Sequence, residues 1–280
     1  MNIVMITCAR EPAYLDLSLQ ALFGTEPGIE NVHVLVHEVE GTEVRVSDTF
    51  QGRLTMRHLT TEEHDAKMAL GKRTRVCHAM RLALEMVDGE CVFLEDDLTF
   101  VMSWLTSLQL ELDRMPPEER DRVFVSLCSP LKHQREGFVR WNPGNYQGTV
   151  ALFLGKETRL LAIEALKQAE KTRWPAPGIG SDVALRDFLL KNSNLKIQLL
   201  VRFPNLAKHM GEVSSIEPVA VRKLQAERAE RVTTRPGRPP VTFPEKQFRP
   251  SQATPNAVQS PQEVTTKPRT SGRPPVSWRK

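Results

Sequence analysis

Segments with strand and helix patterns alternate along the first 130 residues, and this order constrains the fold more than any other feature of the sequence. In segment 75–87, for example, apolar residues recur on one helical face, at positions 76, 80, 83, 84 and 87. Asp88 and Gly89 end this helix in a turn. The apolar run 91–94 that follows is typical of a buried strand. Such alternation predicts an α/β fold with a mostly parallel central sheet and flanking helices.

The same reasoning assigns elements along residues 1–216, which we interpret as one folded domain. The predicted strands cover 2–7, 32–37, 53–58, 91–94, 123–127, 149–154 and 196–201. The predicted helices cover 13–23, 75–87, 101–114, 157–171 and 182–191. The stretch from 131 to about 150 is predicted to form a loop or hairpin, and residues 204–215 a polar loop.

The composition changes near the carboxyl end of the sequence. Residues 231–280 contain ten of the twenty prolines, and ten Lys or Arg against two acidic residues, in a chain of total net charge +4. Residues 1–230 are therefore slightly acidic, so the basic character gives no reason to expect nucleic-acid binding by the folded part. We predict that 231–280 is a disordered tail, with an acidic surface or an SH3-like domain as its expected partner. The alternative is a disordered tail without a specific role. A charged helical linker is predicted over 217–230.

The cysteines and the apolar runs exclude several classes of protein. Cys8, Cys77, Cys91 and Cys128 show no CxxC pairing, which argues against a zinc site or a disulfide framework. No apolar stretch approaches the 18 residues of a membrane span, and the first residues lack a signal-peptide pattern. The expected location is the cytoplasm.

Three consecutive acidic residues, Glu95, Asp96 and Asp97, directly follow the predicted strand 91–94. Ligands of open α/β sheets bind outside the carboxyl ends of the strands. Mn²⁺ or Mg²⁺ binds one or two carboxylates together with phosphate oxygens of a substrate. The triplet therefore indicates a metal–diphosphate site. The alternative interpretation is a solvated loop whose acids cap the following helix.

Four segments resemble, in order, the motifs of glycosyltransferases with the GT-A fold, and most of all the N-acetylglucosaminyltransferase IV type. They are FLEDD at 93–97, YQGTVALFLG at 146–155, GIGSDVALRDFL at 178–189 and PNLAKHMGEVSS at 204–215. The resemblance covers residues 1–216. Two features differ from the family, because the sequence shows no membrane anchor and Lys208 replaces the family's glutamine.

The resemblance implies roles for individual residues. Asp97 would be the metal ligand of the acidic motif and His209 a second ligand, while Glu95 and Asp96 would lie near the donor. Asp182 would be the general base that removes the proton of the acceptor hydroxyl, as in an inverting transfer. The alternative interpretations are a helix-capping acid for Asp182 and a loop histidine for His209.

The resemblance also implies further contacts to the donor. Thr7 and Arg10 follow the first strand, where the uridine and diphosphate lie in a GT-A fold. Gly148 belongs to the glycine loop. Lys72 and Arg73 precede the helix beside the acidic strand and are candidates to neutralise the diphosphate, although an exposed basic face would give the same pattern.

Together these assignments predict a metal-dependent glycosyltransferase with Mn²⁺ or Mg²⁺ as cofactor. It would transfer a sugar, with GlcNAc the expected one, from a UDP-sugar to a glycan or another hydroxyl acceptor. One alternative is another metal–nucleotide enzyme, such as a nucleotidyltransferase, although no P-loop or GxGxxG motif is present. The other is a degenerate transferase fold that binds partners through its proline-rich tail.

Overall fold

An eight-stranded mixed sheet forms the centre of the protein. The computed structural model describes residues 1–9, 13–129, 136–146, 148–174 and 178–210, and its helices and strands are assigned within these ranges. The strands are β1 (Asn2–Thr7), β2 (Val32–Val39), β3 (Leu54–Leu59), β4 (Cys91–Glu95), β5 (Leu98–Phe100), β6 (Val123–Ser126), β7 (Gly137–Arg140), β8 (Ala151–Leu154), β9 (Gln198–Phe203) and β10 (Ala207–His209). The helices are α1 (Leu15–Thr25), α2 (Asp48–Gln51), α3 (Thr61–Ala69), α4 (Thr74–Glu85), α5 (Trp104–Leu112), α6 (Pro117–Arg120), α7 (Lys156–Lys171) and α8 (Ser181–Lys191). Short 3-10 helices cover Pro143–Asn145 and Ser193–Leu195.

The strand order of the large sheet is β3-β2-β1-β4-β8-β6-β9-β7. Strands β1 to β4 are parallel, β6 and β9 are parallel to each other, and β8 and β7 run antiparallel to their neighbours. Because β1 pairs with β2 on one side and β4 on the other, the carboxyl ends of these three strands meet at one edge of the sheet. That edge carries Thr7, His37 and Glu95, and it is where open α/β sheets bind ligands.

Helices cover both faces of the large sheet, which explains why four of the five residues of β4 are fully buried. On one face, α1 and α5 pack against the sheet, with Trp104 at the centre of the contact. On the other face, α4, α7 and α8 bury Met80 and its neighbours. Successive side chains of a strand point to opposite faces, so Leu94 belongs to the first core and Phe93 to the second. Each such side chain contributes about 1.5–3 kcal/mol through burial.

Strands β5 and β10 form a separate two-stranded antiparallel sheet. Its register pairs Ala207 with Phe100 and His209 with Leu98. The Ser18 hydroxyl on α1 accepts a hydrogen bond from the Leu98 amide at 2.8 Å, which holds the start of β5. The small sheet therefore brings residues 207–209 next to the segment that follows β4.

The prediction of an α/β fold with a mostly parallel sheet and flanking helices is confirmed. The loop predicted over 204–215 is wrong at 207–209, where β10 forms, because a strand of three residues carries no detectable alternation. The helix predicted over 101–114 is shorter in the structure and follows the unpredicted strand β5. The predicted domain end at 216, the linker 217–230 and the tail 231–280 lie outside the described residues. Within the described ranges, every helix is too short or too polar to cross a bilayer.

Candidate active site

Glu95, Asp97 and His209 form a cluster of potential metal ligands at the carboxyl edge of the large sheet. One ligand atom from each residue lies within 4.8 Å of those of the other two. The Nε2 atom of His209 is 3.0 Å from Oδ2 of Asp97. Asp97 is buried, Glu95 is half-buried and the His209 side chain is 41% exposed, so the cluster has one face open to a ligand. Carboxylates and imidazole are ligands of divalent cations, and this set of donors fits one such ion.

The backbone fixes the position of this cluster. Strand β4 ends at Glu95 and β5 begins at Leu98, so Asp97 lies in the link between the two strands. The pairing of β10 with β5 sets His209 opposite Leu98. The amide of Met210 then donates to the carbonyl of Asp97 at 2.8 Å. The proximity of His209 to Asp97 therefore follows from strand pairing as well as from the side-chain contact.

Asp96 takes part in a different set of contacts. Its Oδ2 accepts a hydrogen bond of 2.5 Å from the Thr7 hydroxyl at the end of β1. The Ser18 hydroxyl donates to its carbonyl at 2.8 Å. Both Thr7 and Asp96 are buried, at 4% and 5% exposure. The structure therefore brings Thr7 and Asp96 together, as a rigid link between the ends of β1 and β4.

A cleft of about 220 Å³ opens beside the acidic segment. The ends of β1, β2 and β4 and the residues around α3 and α4 form its wall, which includes Thr7, Glu38, Lys67, Lys72, Arg75 and Glu95. A second cleft of about 320 Å³ shares Thr7, Cys8 and Asp96 with the first. Three basic side chains beside a carboxylate cluster suit a ligand that carries phosphate groups and binds with a cation.

The basic residues around the start of α4 are not equivalent in the structure. Lys72 and Arg75 both line the cleft. Arg73 is the N-cap residue of α4 and lies outside the lining of that cleft. Arg75 also donates from Nε to the carbonyl of Leu70 at 3.3 Å, which orients its guanidinium. The sequence does not single out Arg75, because the spacing of three neighbouring basic residues does not indicate which of them faces inward.

Two residues that line the cleft, Lys67 and Glu38, form an ion pair in which Lys67 is buried. This pair is not predicted by the sequence. Lys67 on α3 is 7% exposed, and its ammonium lies 2.9 Å from Oε2 of Glu38. The same ammonium donates to the carbonyl of His37 at 2.5 Å. The capping box of Thr60 and Glu63 is a sequence signal that marks the start of α3. It does not indicate that Lys67 is buried.

His37, which also lines the cleft, contacts the buried ring of His78. The Nε2 atom of His37 lies 3.1 Å from Nδ1 of His78, a hydrogen-bond distance in which the tautomers decide the donor. Burial lowers the pKa of His37 to about 3, and the positive charge of Lys67 acts in the same direction. Burial also lowers the pKa of His78. Both rings are therefore neutral near pH 7 and can donate and accept hydrogen bonds.

Asp182 lies in the first turn of α8, where the helix dipole favours a carboxylate. Its Oδ1 accepts from the amide of Val183 at 2.8 Å. The segment before it is fixed by α4, because the amide of Ile179 donates to the Thr74 hydroxyl at 3.1 Å. Gly178 has φ +96°, and a Cβ at this position would collide with the Thr74 side chain. Residues 178 and 179, which precede Asp182 in the chain, are therefore held against α4, the helix that contributes Arg75 to the cleft.

Gly148 also lies at a turn that a side chain would strain. Its φ is +82°, which favours glycine. The next residue, Thr149, is hydrogen-bonded through its hydroxyl to the Ser181 hydroxyl at 2.7 Å, and both groups are buried. Gly148 thus allows the chain to enter β8 while Thr149 holds the start of α8. Arg10, the remaining candidate from the sequence, lies outside the described residues.

Comparisons with known proteins find similar solved structures but no similar family model or curated sequence. No protein-family model and no curated protein sequence matches the chain. Among solved structures, a galactosyltransferase, LgtC, in complex with donor and acceptor sugar analogues is 12% identical. The match covers 86% of this chain and 98% of LgtC, with a TM-score of 0.42.

A second similar structure is S. aureus TarS 1–349 in complex with UDP-GlcNAc. It is also 12% identical, with a TM-score of 0.49, and the match covers 77% of this chain. This chain spans only 60% of that TarS fragment, and 40% of the longer TarS chain. The resemblance to the N-acetylglucosaminyltransferase IV type therefore stays a prediction based on the four motifs.

Proposed function

We propose that this chain is a metal-dependent glycosyltransferase that transfers a sugar from a UDP-sugar to a hydroxyl of a glycan or another acceptor. The observation that carries the proposal is the cluster of Glu95, Asp97 and His209 beside a cleft that is lined by Lys72 and Arg75. A nucleoside diphosphate bound with a divalent cation needs carboxylate ligands on one side and positive charge on the other. These residues offer both at the edge where α/β sheets bind ligands.

The donor set fits Mn²⁺ or Mg²⁺, with Asp97, Glu95 and His209 as the residues that would hold the ion. When bound, such an ion stabilises negative charge on the departing diphosphate. Lys72 and Arg75, which line the same cleft, would neutralise the remaining phosphate charge. Asp96 would act by keeping Thr7 in place through their 2.5 Å hydrogen bond.

Three of the residues that line the cleft carry the polar groups that a uracil ring requires. A uracil has two carbonyl acceptors and one N–H donor in its plane. Lys67 can donate to a carbonyl, Glu38 can accept from the N–H, and neutral His37 can do either. This assignment extends the proposal from a diphosphate to the UDP moiety.

Asp182 is the proposed general base. The acceptor oxygen attacks the anomeric carbon, the bond from that carbon to the diphosphate oxygen breaks, and Asp182 takes the proton of the acceptor hydroxyl. This displacement inverts the anomeric configuration. Support for Asp182 comes from its place in the first turn of α8, on a segment that hydrogen bonds fix to α4.

The test is UDP release by the purified full-length chain with Mn²⁺ and UDP-GlcNAc, compared with UDP-galactose and with EDTA present. We expect release that depends on Mn²⁺ and favours UDP-GlcNAc. Asp97→Asn should lower the rate at least a hundredfold, because it replaces a charged ligand with a neutral amide. Asp65→Asn, which changes an exposed acid on α3, is the matched control and should keep the wild-type rate. Full activity in EDTA would contradict a metal-dependent mechanism.

A further inference from the structure

Tyr146 is a buried tyrosine to which the mechanism above gives no role. It follows the 3-10 helix Pro143–Asn145, and its side chain is 3% exposed. The ring packs edge-on against Phe124, with centroids 5.3 Å apart and planes at 88°. It belongs to the core cluster that also contains Ile179, three residues before Asp182, and Ala184, two residues after it. The 3-10 helix that precedes Tyr146 packs against α8, whose first turn carries Asp182.

The hydroxyl of Tyr146 has no hydrogen-bond partner among the described residues, although it is fully buried. Removing a hydroxyl from water without such a partner destabilises the folded state. Phenylalanine would fill the same space without this cost. A hydroxyl at this position therefore needs a reason other than packing.

That reason is Asp182, because it lies on the helix that packs against the segment before Tyr146. Burial raises the pKa of Tyr146 well above its ordinary value, and the charges of Asp182 and then Glu95 raise it further. Of these two charges, that of Asp182 has the larger effect on the pKa of Tyr146. The hydroxyl consequently stays protonated near neutral pH and is a hydrogen-bond donor there.

We infer that Tyr146 is a positioning residue whose buried hydroxyl donates to the Asp182 carboxylate when the site is occupied; the inference rests on the proposed role of Asp182. Catalytic hydrogen bonds are often long in a free enzyme and shorten only in the complex. The donated bond fixes which carboxylate oxygen faces the acceptor. Asp182 then keeps the other oxygen for the proton of the acceptor hydroxyl.

The first experiment tests the coupling of the two residues and does not depend on activity. The chain contains two tyrosines, so labelling the tyrosine Cζ with ¹³C gives two resonances, and Tyr146→Phe assigns them. Asp182→Asn should shift the Tyr146 resonance because it removes a nearby charge. Asp187→Asn, on the same helix, is the matched control and should leave it in place. An unchanged Tyr146 resonance in Asp182→Asn would overturn the inference even if the protein is an active transferase.

The second experiment separates positioning from packing. With UDP-GlcNAc, Mn²⁺ and water as acceptor, Tyr146→Phe should lower kcat about tenfold, as expected for loss of a bond to a charged group. The KM for UDP-GlcNAc should change less than twofold, and the thermal midpoint should stay equal or rise. An unchanged kcat, or a lower thermal midpoint, would assign the hydroxyl a purely structural role. If the wild-type chain hydrolyses no UDP-sugar, the proposed function fails, and the resonance shift still decides whether Tyr146 and Asp182 interact.

Discussion

The imidazole of His209 approaches the carboxylate of Asp97 to 3.0 Å, between Nε2 and Oδ2. His209 ends β10 and Asp97 precedes β5, so the contact forms only when these two short strands pair. The pairing of β5 with β10, and the hydrogen bond from the Met210 amide to the Asp97 carbonyl, hold the two residues next to each other. A bound cation would replace this contact with two metal–ligand bonds and would therefore meet ligands that are already in place.

His209→Ala should weaken binding of UDP in the presence of Mn²⁺ by at least tenfold, about 1.4 kcal/mol. It removes one of the three proposed ligands and leaves the backbone pairing of β10 intact. Calorimetric titration with UDP at fixed Mn²⁺ measures the effect. The control is His33→Ala, which changes a histidine near the amino end of β2, away from the carboxyl edge of the sheet. This variant should bind UDP like the wild type. Equal affinities for all three proteins would make His209 a structural residue.

The acidic segment of the site can be predicted from the sequence, but the division of labour among its acids cannot. Three acids after a buried strand predict a ligand site by residue type alone. In the structure, Asp96 bonds Thr7, whereas Glu95 and Asp97 lie with His209. Alternate residues point to opposite sides of an extended chain, and where that chain turns after β4 depends on its tertiary contacts. The sequence therefore predicts where the acidic cluster lies, but it does not predict which of the three carboxylates lie close together.

Asp182→Asn should lower kcat for UDP-GlcNAc hydrolysis by about 10²–10⁴, the usual contribution of a general base. The affinity for UDP should change less than twofold, because the base acts on the acceptor and not on the nucleotide. Steady-state kinetics and UDP titration together give the two numbers. Asp187→Asn changes the next acid along α8 and should retain full activity. An equal loss of affinity and turnover would instead place Asp182 in the donor pocket.

The longer elements of the fold follow from the sequence, and the shorter ones do not. Helices α4 and α7 have clear apolar periodicity over three turns or more, which predicts their bounds to within a few residues. Strands β5 and β10 have three residues each and exist because they pair with each other. The burial of Lys67 likewise arises from a partner on another element, Glu38. Local patterns do not record such non-local partners.

Deletion of the tail 231–280 should change the rate of UDP-sugar hydrolysis by less than about twofold. This corresponds to a change of less than ~0.5 kcal/mol in the activation free energy. Among the described residues, those that line the cleft and form the ligand cluster lie between positions 6 and 209. The tail's prolines and positive charges instead suit docking on an acidic surface or an SH3-like domain. Hydrolysis by the truncated and full-length proteins, with circular dichroism as the folding control, measures the effect. Loss of hydrolysis by a truncated protein that is still folded would show that the tail contributes to the site.

Acid should destabilise the protein through His37, whose folded-state pKa is lowered from 6.5 to about 3 by burial and by the charge of Lys67. Below pH 6.5 His37 becomes protonated in the unfolded chain but stays neutral in the folded protein. The free energy of unfolding therefore falls as the pH falls towards 3. One such group changes that free energy by at most ~1.4 kcal/mol per pH unit. Between pH 6 and pH 5, where few carboxylates titrate, the wild type should lose about 1 kcal/mol more than His37→Asn in urea unfolding. Parallel losses in the two proteins would mean that His37 is protonated in the folded state, and that its contact with His78 at 3.1 Å opens to admit the charge.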